Sequence, residues 1–480
     1  MKKLSELLVA LDLPYRIEGK DMMIERICYD SRKVEKNSLF VAIKGFKSDG
    51  HDYIKQAISK GASAVVIEHD MDIEVTKLIT SDTRRALAEL SYAYYGSEYN
   101  SFDICGISGT NGKTTMTHLL YQLSKADNKR PAVVGTLGVK TPFFHIEGER
   151  TTPESSDLAK TFYELDKQEI QSVFMEVSSH ALVLKRVHGL RFDIAAFSNL
   201  TQDHLDFHKN MNDYFKAKSQ LFYQLKHCGK AVINIDDHYG KKLYSSLEVG
   251  KISYAVDNGD ADFYFKELSL GVKGVKGKLR TPGCDIIIKA PLLGKFNAEN
   301  IAGALAIYKT LYPNSKLNFD NFAFEAIPGR MESFFTSKAT LVVDYAHTPD
   351  AMEKALSTAS DLEDRKRIIC VFGCGGDRDK DKRAKMGAVA DKYANEIIIT
   401  NDNPRNEEAQ DIANEILTGI KNTSKVSICL DRAEAIKRAW RSSVSGDIIM
   451  VLGKGAETHM EIKGRKIAFK DEKIILELEN

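Results

Sequence analysis

The chain has 480 residues, 43% of them hydrophobic and 28% charged, with a formal net charge of +1. That length allows roughly three domains, each able to bury its own core, and the near-neutral balance excludes the basic footprint of a nucleic-acid or anionic-membrane binder. Seven scattered cysteines give no disulfide framework, and Cys370 and Cys374 have no second Cys/His pair to suggest zinc, so a reducing cytoplasm is expected.

The opening MKKLSELLVALDL is interrupted by Glu6 and Asp12 and reads as a short amphipathic helix, not a secretion signal. No apolar run reaches the roughly 18–20 residues of a membrane span. To about Asn100, apolar runs (SLFVAIKG, ASAVVIEH) alternate with helical stretches (YIKQAISKG, TRRALAELSYAYYG), which predicts a small mixed α/β domain over 1–100 that ends near the polar GSEYNS. FDICGISGT then runs as a strand into a glycine loop, and KTTMTHLLYQLSKA continues as a helix. Further strands at AVVGTLG, SVFMEVSS, FDIAAFSN and KAVINID predict a mostly parallel sheet covered on both faces, the core of a central domain over 101–328. From Gly329 the pattern restarts with TLVVDYAH, RIICVFGCGG, NEIIITND, KVSICLD and DIIMVLGKG, interleaved with helices. This predicts a second parallel sheet, Rossmann-like, over 329–480. The fold class expected is α/β in three domains.

GISGTNGKTT carries the first chemistry. Glycines let backbone N–H groups close around phosphate oxygens, the following helix adds its positive dipole end, Lys113 can reach the terminal phosphates, and Thr114 can hold Mg²⁺. A strict G-x-x-x-x-G-K-[ST] pattern would place glycine where Ile107 stands, yet Gly106, Gly109 and Gly112 supply three permissive positions. Downstream, Glu176 ends an apolar strand, His204 follows another and Lys218 lies on a helix. Taken singly these are a strand-end carboxylate, a loop histidine and a solvated lysine. Asn297 and Asn300 share one helical face, equally suited to packing or to a ligand. Arg330 lies at the proposed domain junction, and Asp344 and His347 at a strand end, where interdomain salt bridging is the plain alternative.

Gly109-Thr110-Asn111-Gly112-Lys113-Thr114-Thr115 resembles the loop of the Mur ligases and folylpolyglutamate synthetases, ATP-dependent amide-forming enzymes. Glu176, His204 and Lys218, in that order, are similar to the Mur ligase metal region. The resemblance implies ATP and Mg²⁺ as cofactors, with Thr114 and Glu176 as oxygen ligands, His204 as an accessory ligand, and Lys218 converted by CO₂ into a carboxylate-like carbamate. It also implies that Asn297 and Asn300 approach adenine, Arg330 a phosphate and Asp344 the ribose.

TNDNPRNE, with Asp402, Asn403 and Arg405, is similar to the D-N-P-R motif of the meso-diaminopimelate-adding branch of that family, in which a guanidinium offers a fork to the second carboxylate. Asn-Pro also reads as a turn, which would leave Arg405 a surface loop cation. By the same resemblance Arg378 binds the other carboxylate, and Gly453 and Glu457 receive the distal amino-acid centre. YDSRKV (Ser31, Arg32) and GFKSDGHDY resemble segments around the uridine and its diphosphate. TTPES (Thr151, Thr152) and SSHALVLKR (Ser178, Arg186) resemble segments that hold the muramoyl peptide. Two positions depart: Leu184 stands where many members have glutamine, and Ala456 replaces the histidine of G-K-G-H-E. The activity implied is ligation of meso-diaminopimelate to UDP-MurNAc-L-Ala-D-Glu by a cytoplasmic monomer with small-molecule partners. The alternatives are an L-lysine-adding relative, a folylpolyglutamate synthetase, a P-loop ATPase or kinase, and a non-catalytic nucleotide-binding module.

Overall fold

The structure, a computed structural model, describes all residues except 46, 47, 97–100, 149, 320, 321, 363, 364 and 480, with 205 and 206 described by backbone alone. Most of the GSEYNS stretch and two residues of GFKSDGHDY therefore lie outside the described residues. Met1–Ser253 with Ile307–Ser315 form one compact unit, and Tyr254–Ala306 with Lys316–Asn480 form another.

The first unit holds two sheets. The smaller runs in the order Tyr15–Glu18, Thr76–Thr80, Ala62–Ile67, Ser38–Val41, Arg26–Cys28, parallel apart from its first pair. Helix Thr83–Tyr95 begins on Asp82, whose carboxylate accepts from the Arg85 amide, and it buries Ala86, Leu87 and Leu90 in the same core as Leu39, Val41 and Val66. This i, i+1, i+4 pattern is the apolar stripe of a helix laid on a sheet.

In the larger sheet, Pro131–Gly135, Ser172–Glu176, Asp103–Ser108, Phe192–Phe197 and Leu225–Asn234 lie side by side and parallel. Their near-continuous apolar sequences follow from burial on both faces. After Asp103–Ser108 the chain crosses to Pro131–Gly135 on one side, and after Ser172–Glu176 it crosses to Phe192–Phe197 on the other. A ligand crevice opens at the carboxyl ends where such crossovers diverge. Gly106 and Ile107 lie inside the strand, so the loop proper starts at Gly109 and Ile107 is a buried sheet residue. Helix Lys113–Ala126 buries Met116, Leu119, Leu120 and Leu123, the i, i+3, i+4, i+7 positions that anchor it to the sheet.

In the second unit, Phe263–Gly271, Gly274–Thr281 and Cys284–Ala290 form an antiparallel meander. A further sheet runs Glu332–Phe335, Ala339–Asp344, Asp447–Leu452, Ile368–Phe372, Glu396–Ile399, Val426–Ile428. It is parallel as predicted, except that its first strand is an antiparallel edge. Cys370 and Cys374 are both buried, and Cys374 Sγ lies 3.6 Å from Met386 Sδ, which makes them packing residues. No described helix is long and apolar enough to cross a membrane.

Candidate active site

The loop Gly109–Gly112 is held from both sides before any ligand is considered. Asn199 accepts from the Thr110 amide through its backbone carbonyl and from the Asn111 amide through Oδ1, each at 2.9 Å, while Ser198 Oγ donates to Asn111 O at 2.6 Å. Gly109 has φ +151°, and a Cβ there would lie 1.9 Å from Ser198 Oγ, so only glycine fits against the neighbouring strand's end. Thr110 Oγ1 accepts from the Thr201 amide at 3.1 Å and meets Tyr214 Oη at 3.3 Å. Lys113 Nζ folds back to donate to Gly109 O and Thr110 O, both at 2.8 Å. Thr115 is buried one position further along the helix.

Glu176, at the carboxyl end of its strand, is 1% exposed and gathers hydroxyls. Thr114 Oγ1 lies 2.9 and 3.0 Å from its two oxygens, the Thr136 amide donates at 2.8 Å, and Thr136 Oγ1 donates at 3.2 Å. Thr136 Oγ1 meets Thr151 Oγ1 at 3.1 Å. A carboxylate and adjacent threonine hydroxyls are the hard oxygen donors that Mg²⁺ takes, so this pair fits the expected ion. Among the described residues no group of three or more His, Cys, Asp or Glu side chains is arranged to hold a metal.

Lys218, on helix Met211–Ser219, is 1% exposed. Its Nζ donates to Gly109 O at 2.7 Å, the acceptor that Lys113 also uses, and it lies 4.6 Å from the centre of the Tyr214 ring. Burial first, and the Lys113 charge second, push its ammonium well below the ordinary 10.5. The solvated helix lysine of the plain reading is thus overturned. His204, in a left-handed conformation with φ +53°, stands beside Asp203, His180 and Tyr214.

The segments likened to donor-binding ones all lie in the first unit. Thr152 Oγ1 donates to Glu176 O at 2.8 Å, the Ser178 amide donates to Thr152 Oγ1 at 3.1 Å, and Ser178 caps helix Ser179–Val183. Arg186 Nε donates to Glu154 Oε1 at 2.9 Å. Ser31 is buried and donates to Gln56 Oε1 at 2.8 Å, whereas Arg32 is exposed and pairs with Asp30.

In the second unit, buried Asn297 and Asn300 lie on helix Lys295–Leu311. Asn300 Nδ2 donates to Asn297 Oδ1 at 3.1 Å and Asn297 Nδ2 to Leu293 O at 2.8 Å, a network that secures the helix start. Asp344 accepts from the Met331 and Ala346 amides at 2.8 and 2.9 Å. Desolvation raises its carboxyl above the ordinary range despite Arg330 nearby, whose guanidinium sits over the Tyr345 ring at 4.8 Å.

The D-N-P-R loop, the G-K-G loop and the Arg378 loop all leave the carboxyl ends of neighbouring parallel strands. Asn403 Nδ2 donates to Glu457 Oε2 at 2.9 Å, and Lys454 Nζ reaches the same oxygen at 2.8 Å. Burial opposes ionisation of Glu457, but Lys454 and Asn403 outweigh it and hold the carboxyl below its ordinary range. Gly453 has φ +111°, and a Cβ there would lie 2.5 Å from Asp402 Oδ2, which itself is buried and raised by desolvation. Arg405 Nε donates to Glu461 Oε2 at 3.0 Å and Nη1 to Gly376 O at 2.8 Å, so it is no loose surface cation. Arg378 is exposed, with no hydrogen bond or ion pair from its guanidinium among the described contacts. Buried Arg432 pairs with Asp471 at 2.7 Å and donates to Asn401 O at 3.2 Å and Leu452 O at 3.1 Å, tying together the backs of two of these loops.

Sequence reasoning missed Thr136, Ser198, Asn199, Tyr214, Glu154, Lys454 and Arg432. Lys454 had a local signal, a lysine between Gly453 and Gly455 at the end of an apolar strand, and Glu154 stood within TTPES and Tyr214 four residues before Lys218. The others depend on which strands are neighbours.

Three family descriptions match successive parts of the chain: the Mur ligase family catalytic domain at residues 23–95, the Mur ligase middle domain at 107–308, and the Mur ligase glutamate ligase domain at 329–455. A relative from Syntrophomonas wolfei, named "UDP-N-acetylmuramoyl-L-alanyl-D-glutamate--2,6-diaminopimelate ligase", is 38% identical over 485 aligned residues, 99% of each chain. The chain belongs to the Mur ligase family. A Bacillus licheniformis relative of the same name is 40% identical, covering 99% of this chain and 100% of its own. A solved structure of a ligase so named superposes with a TM-score of 0.67 at 31% identity, over 95% of this chain and 94% of that one. The three matched segments follow the predicted three-domain α/β order, and this Mur ligase chain covers 93% to 100% of the length of the curated relatives it matches.

Proposed function

We propose that this chain is an ATP-dependent ligase that joins meso-diaminopimelate to the γ-carboxylate of the D-glutamyl residue in UDP-MurNAc-L-Ala-D-Glu, a step of peptidoglycan precursor synthesis. The full-length likeness to ligases of that name carries this reading, and the D-N-P-R loop supports it. The donor γ-carboxylate attacks the terminal phosphorus of ATP and releases ADP. The resulting acyl phosphate is attacked by the diaminopimelate amine, and the tetrahedral intermediate expels inorganic phosphate to leave the amide.

The chain's own part is positioning and charge neutralisation. The loop Gly109–Thr115 and the helix dipole receive the phosphates, through the amides from Gly112 onward because those of Thr110 and Asn111 are given to Asn199, and Lys113, released from Gly109 O and Thr110 O, offsets charge on the transferred group. Thr114 and Glu176 would hold Mg²⁺, with His204 as an accessory ligand; the ion supplies further neutralisation of the phosphates. Asn297 and Asn300 serve adenine, Asp344 the ribose and Arg330 a phosphate. Ser31, Arg32, Thr151, Thr152, Ser178 and Arg186 hold the donor. Arg378, Asp402, Asn403, Arg405, Gly453 and Glu457 hold diaminopimelate, the guanidinium of Arg405 reading its second carboxylate.

Lys218 enters as a carbamate. Burial and the Lys113 charge disfavour the ammonium of Lys218, and the nitrogen lone pair of the neutral amine adds to CO₂ with loss of one proton. The product is an anion beside Lys113, where a second ammonium is poorly tolerated. We place the domain boundaries at 1–100, 101–328 and 329–480, and the chain acts as a cytoplasmic monomer.

Phosphate release that requires ATP, the donor and an amino acid together is the expected result. Hydrolysis of ATP by the chain alone, at the same rate, would instead favour a P-loop ATPase.

A further inference from the structure

Glu154, in TTPES, has a side chain only 5% exposed, and three guanidinium groups converge on it. Arg186 Nε donates to Oε1 at 2.9 Å, Arg150 Nη1 lies 3.5 Å from the same oxygen, and Arg84 Nη1 lies 3.6 Å from Oε2. Arg186 Nη1 also donates to Thr152 O at 3.1 Å, and Arg84 Nη2 donates to Lys44 O at 2.8 Å. Arg84 Nη1 is buried and makes no hydrogen bond.

One carboxylate cannot neutralise three guanidiniums. The next one, Asp157, accepts from Tyr29 Oη, and counting it still leaves the cluster net positive. Arg150 and Asp157 are exposed, but the largely buried Arg84 and Arg186 still outnumber the buried Glu154, and sequestered excess charge is costly unless an opposite charge completes it. The groups that meet here come from the segments likened to donor-binding ones: Tyr29 precedes Ser31, Lys44 precedes Gly45, and Glu154 follows Thr151 and Thr152. Arg84 itself lies in the first turn of helix Thr83–Tyr95, packed over the small sheet, so it joins a turn of that sheet's domain to the TTPES loop.

We propose that Arg84 and Arg150, with Arg186 around Glu154, form an anion receptor for the nucleotide donor, in which Arg84 clamps the Lys44–Gly45 turn to the TTPES segment. The proposal rests on the donor reading above and extends it to three residues, Arg84, Arg150 and Glu154. The ligand is an anionic oxygen group, of which the donor carries two kinds: its diphosphate and its peptide carboxylates. Arg84 positions these segments and completes the receptor's charge.

The test is calorimetric binding of UDP, of UDP-MurNAc-L-Ala-D-Glu and of ATP to the full-length parent, R84M and R150Q, with melting temperatures alongside. Loss of a buried charge-assisted contact predicts donor Kd raised about tenfold or more in R84M. The more exposed Arg150 predicts about threefold in R150Q. ATP affinity and melting temperature should stay at parent values in R150Q, whose side chain is 43% exposed. Weakening of UDP and donor alike assigns the receptor to the diphosphate; weakening of the donor alone assigns it to a carboxylate. Donor Kd within twofold of parent in both variants overturns the receptor. So does a uniform decline of ATP affinity, donor affinity and melting temperature in both, which a purely structural role predicts. A parent that binds ATP but neither nucleotide-sugar ligand overturns the donor reading itself, a result distinct from unaltered variants of a binding parent.

Discussion

Two buried lysines, one in each unit, show how the same side chain is put to opposite uses. Lys218 is 1% exposed and Lys454 0%. Lys454 meets a carboxylate, Glu457 Oε2 at 2.8 Å, and the amide oxygen of Asn403 at 3.2 Å. Lys218 meets a carbonyl and an aromatic face, and shares that carbonyl with a second lysine. A buried cation is tolerated when a counter-charge faces it and driven neutral when another cation does. Lys454 in the second unit therefore faces a counter-charge, while burial and the Lys113 charge disfavour the ammonium of Lys218 in the first.

The comparison can be broken, beginning with the largest effect. Lys113→Ala should abolish ligation, by about 10³-fold or more, without unfolding the chain; retained turnover would remove the phosphate loop from the mechanism. Lys218→Met should lower turnover by about 10²-fold or more yet leave the melting temperature unchanged or raised, because it deletes an uncompensated buried amine. Lys454→Met should do the reverse to stability, costing about 3 kcal/mol by denaturant unfolding, since it strands Glu457 and Asn403. Equal stability changes in the two methionine variants would refute the contrast. Labelled bicarbonate should give a carbamate carbon signal in the parent that is missing from the Lys218 variant; its persistence there would place the carbamate elsewhere.

Smaller effects sharpen the amino-acid side. Arg405→Lys should reduce the preference for diaminopimelate over L-lysine by about tenfold, since an ammonium cannot reproduce the bidentate fork. An unchanged ratio would shift that role to Arg378. Arg383, 0% exposed, hydrogen-bonds Glu407 and holds its carboxyl down at about 2, against the ordinary 4.5. A depressed carboxyl stabilises the fold above pH 4.5, and the contribution is lost as pH falls from there through about 2. Glu407→Gln should flatten stability over that window, measured by urea unfolding at each pH.

Local patterns made most of the architecture legible. GISGTNGKTT announced a strand, a loop and a helix because glycine spacing and 3.6-residue periodicity are local properties, and the three-domain order followed from strand runs separated by helical ones. Lys218 was visible as a helix residue but not as a buried one, since its fate depends on Gly109 and Lys113, over 100 positions earlier. Thr136, Ser198 and Asn199 were invisible for a related reason: their roles follow from Ser172–Glu176 and Phe192–Phe197 flanking Asp103–Ser108. The Glu154 cluster likewise joins Arg84, Arg150 and Arg186, whose common partner no spacing reveals. Arg405 was legible as a motif, while its restraint by Glu461 and Gly376 required the fold.

The central claim is tested most directly by incubating the purified chain with ATP, Mg²⁺ and UDP-MurNAc-L-Ala-D-Glu, with meso-diaminopimelate or L-lysine in parallel, and reading product mass together with phosphate release. The account predicts stoichiometric phosphate and the added mass of diaminopimelate, with little product from lysine. Preferential addition of lysine would contradict the role given to the D-N-P-R loop, and no product from either would contradict the ligase assignment itself.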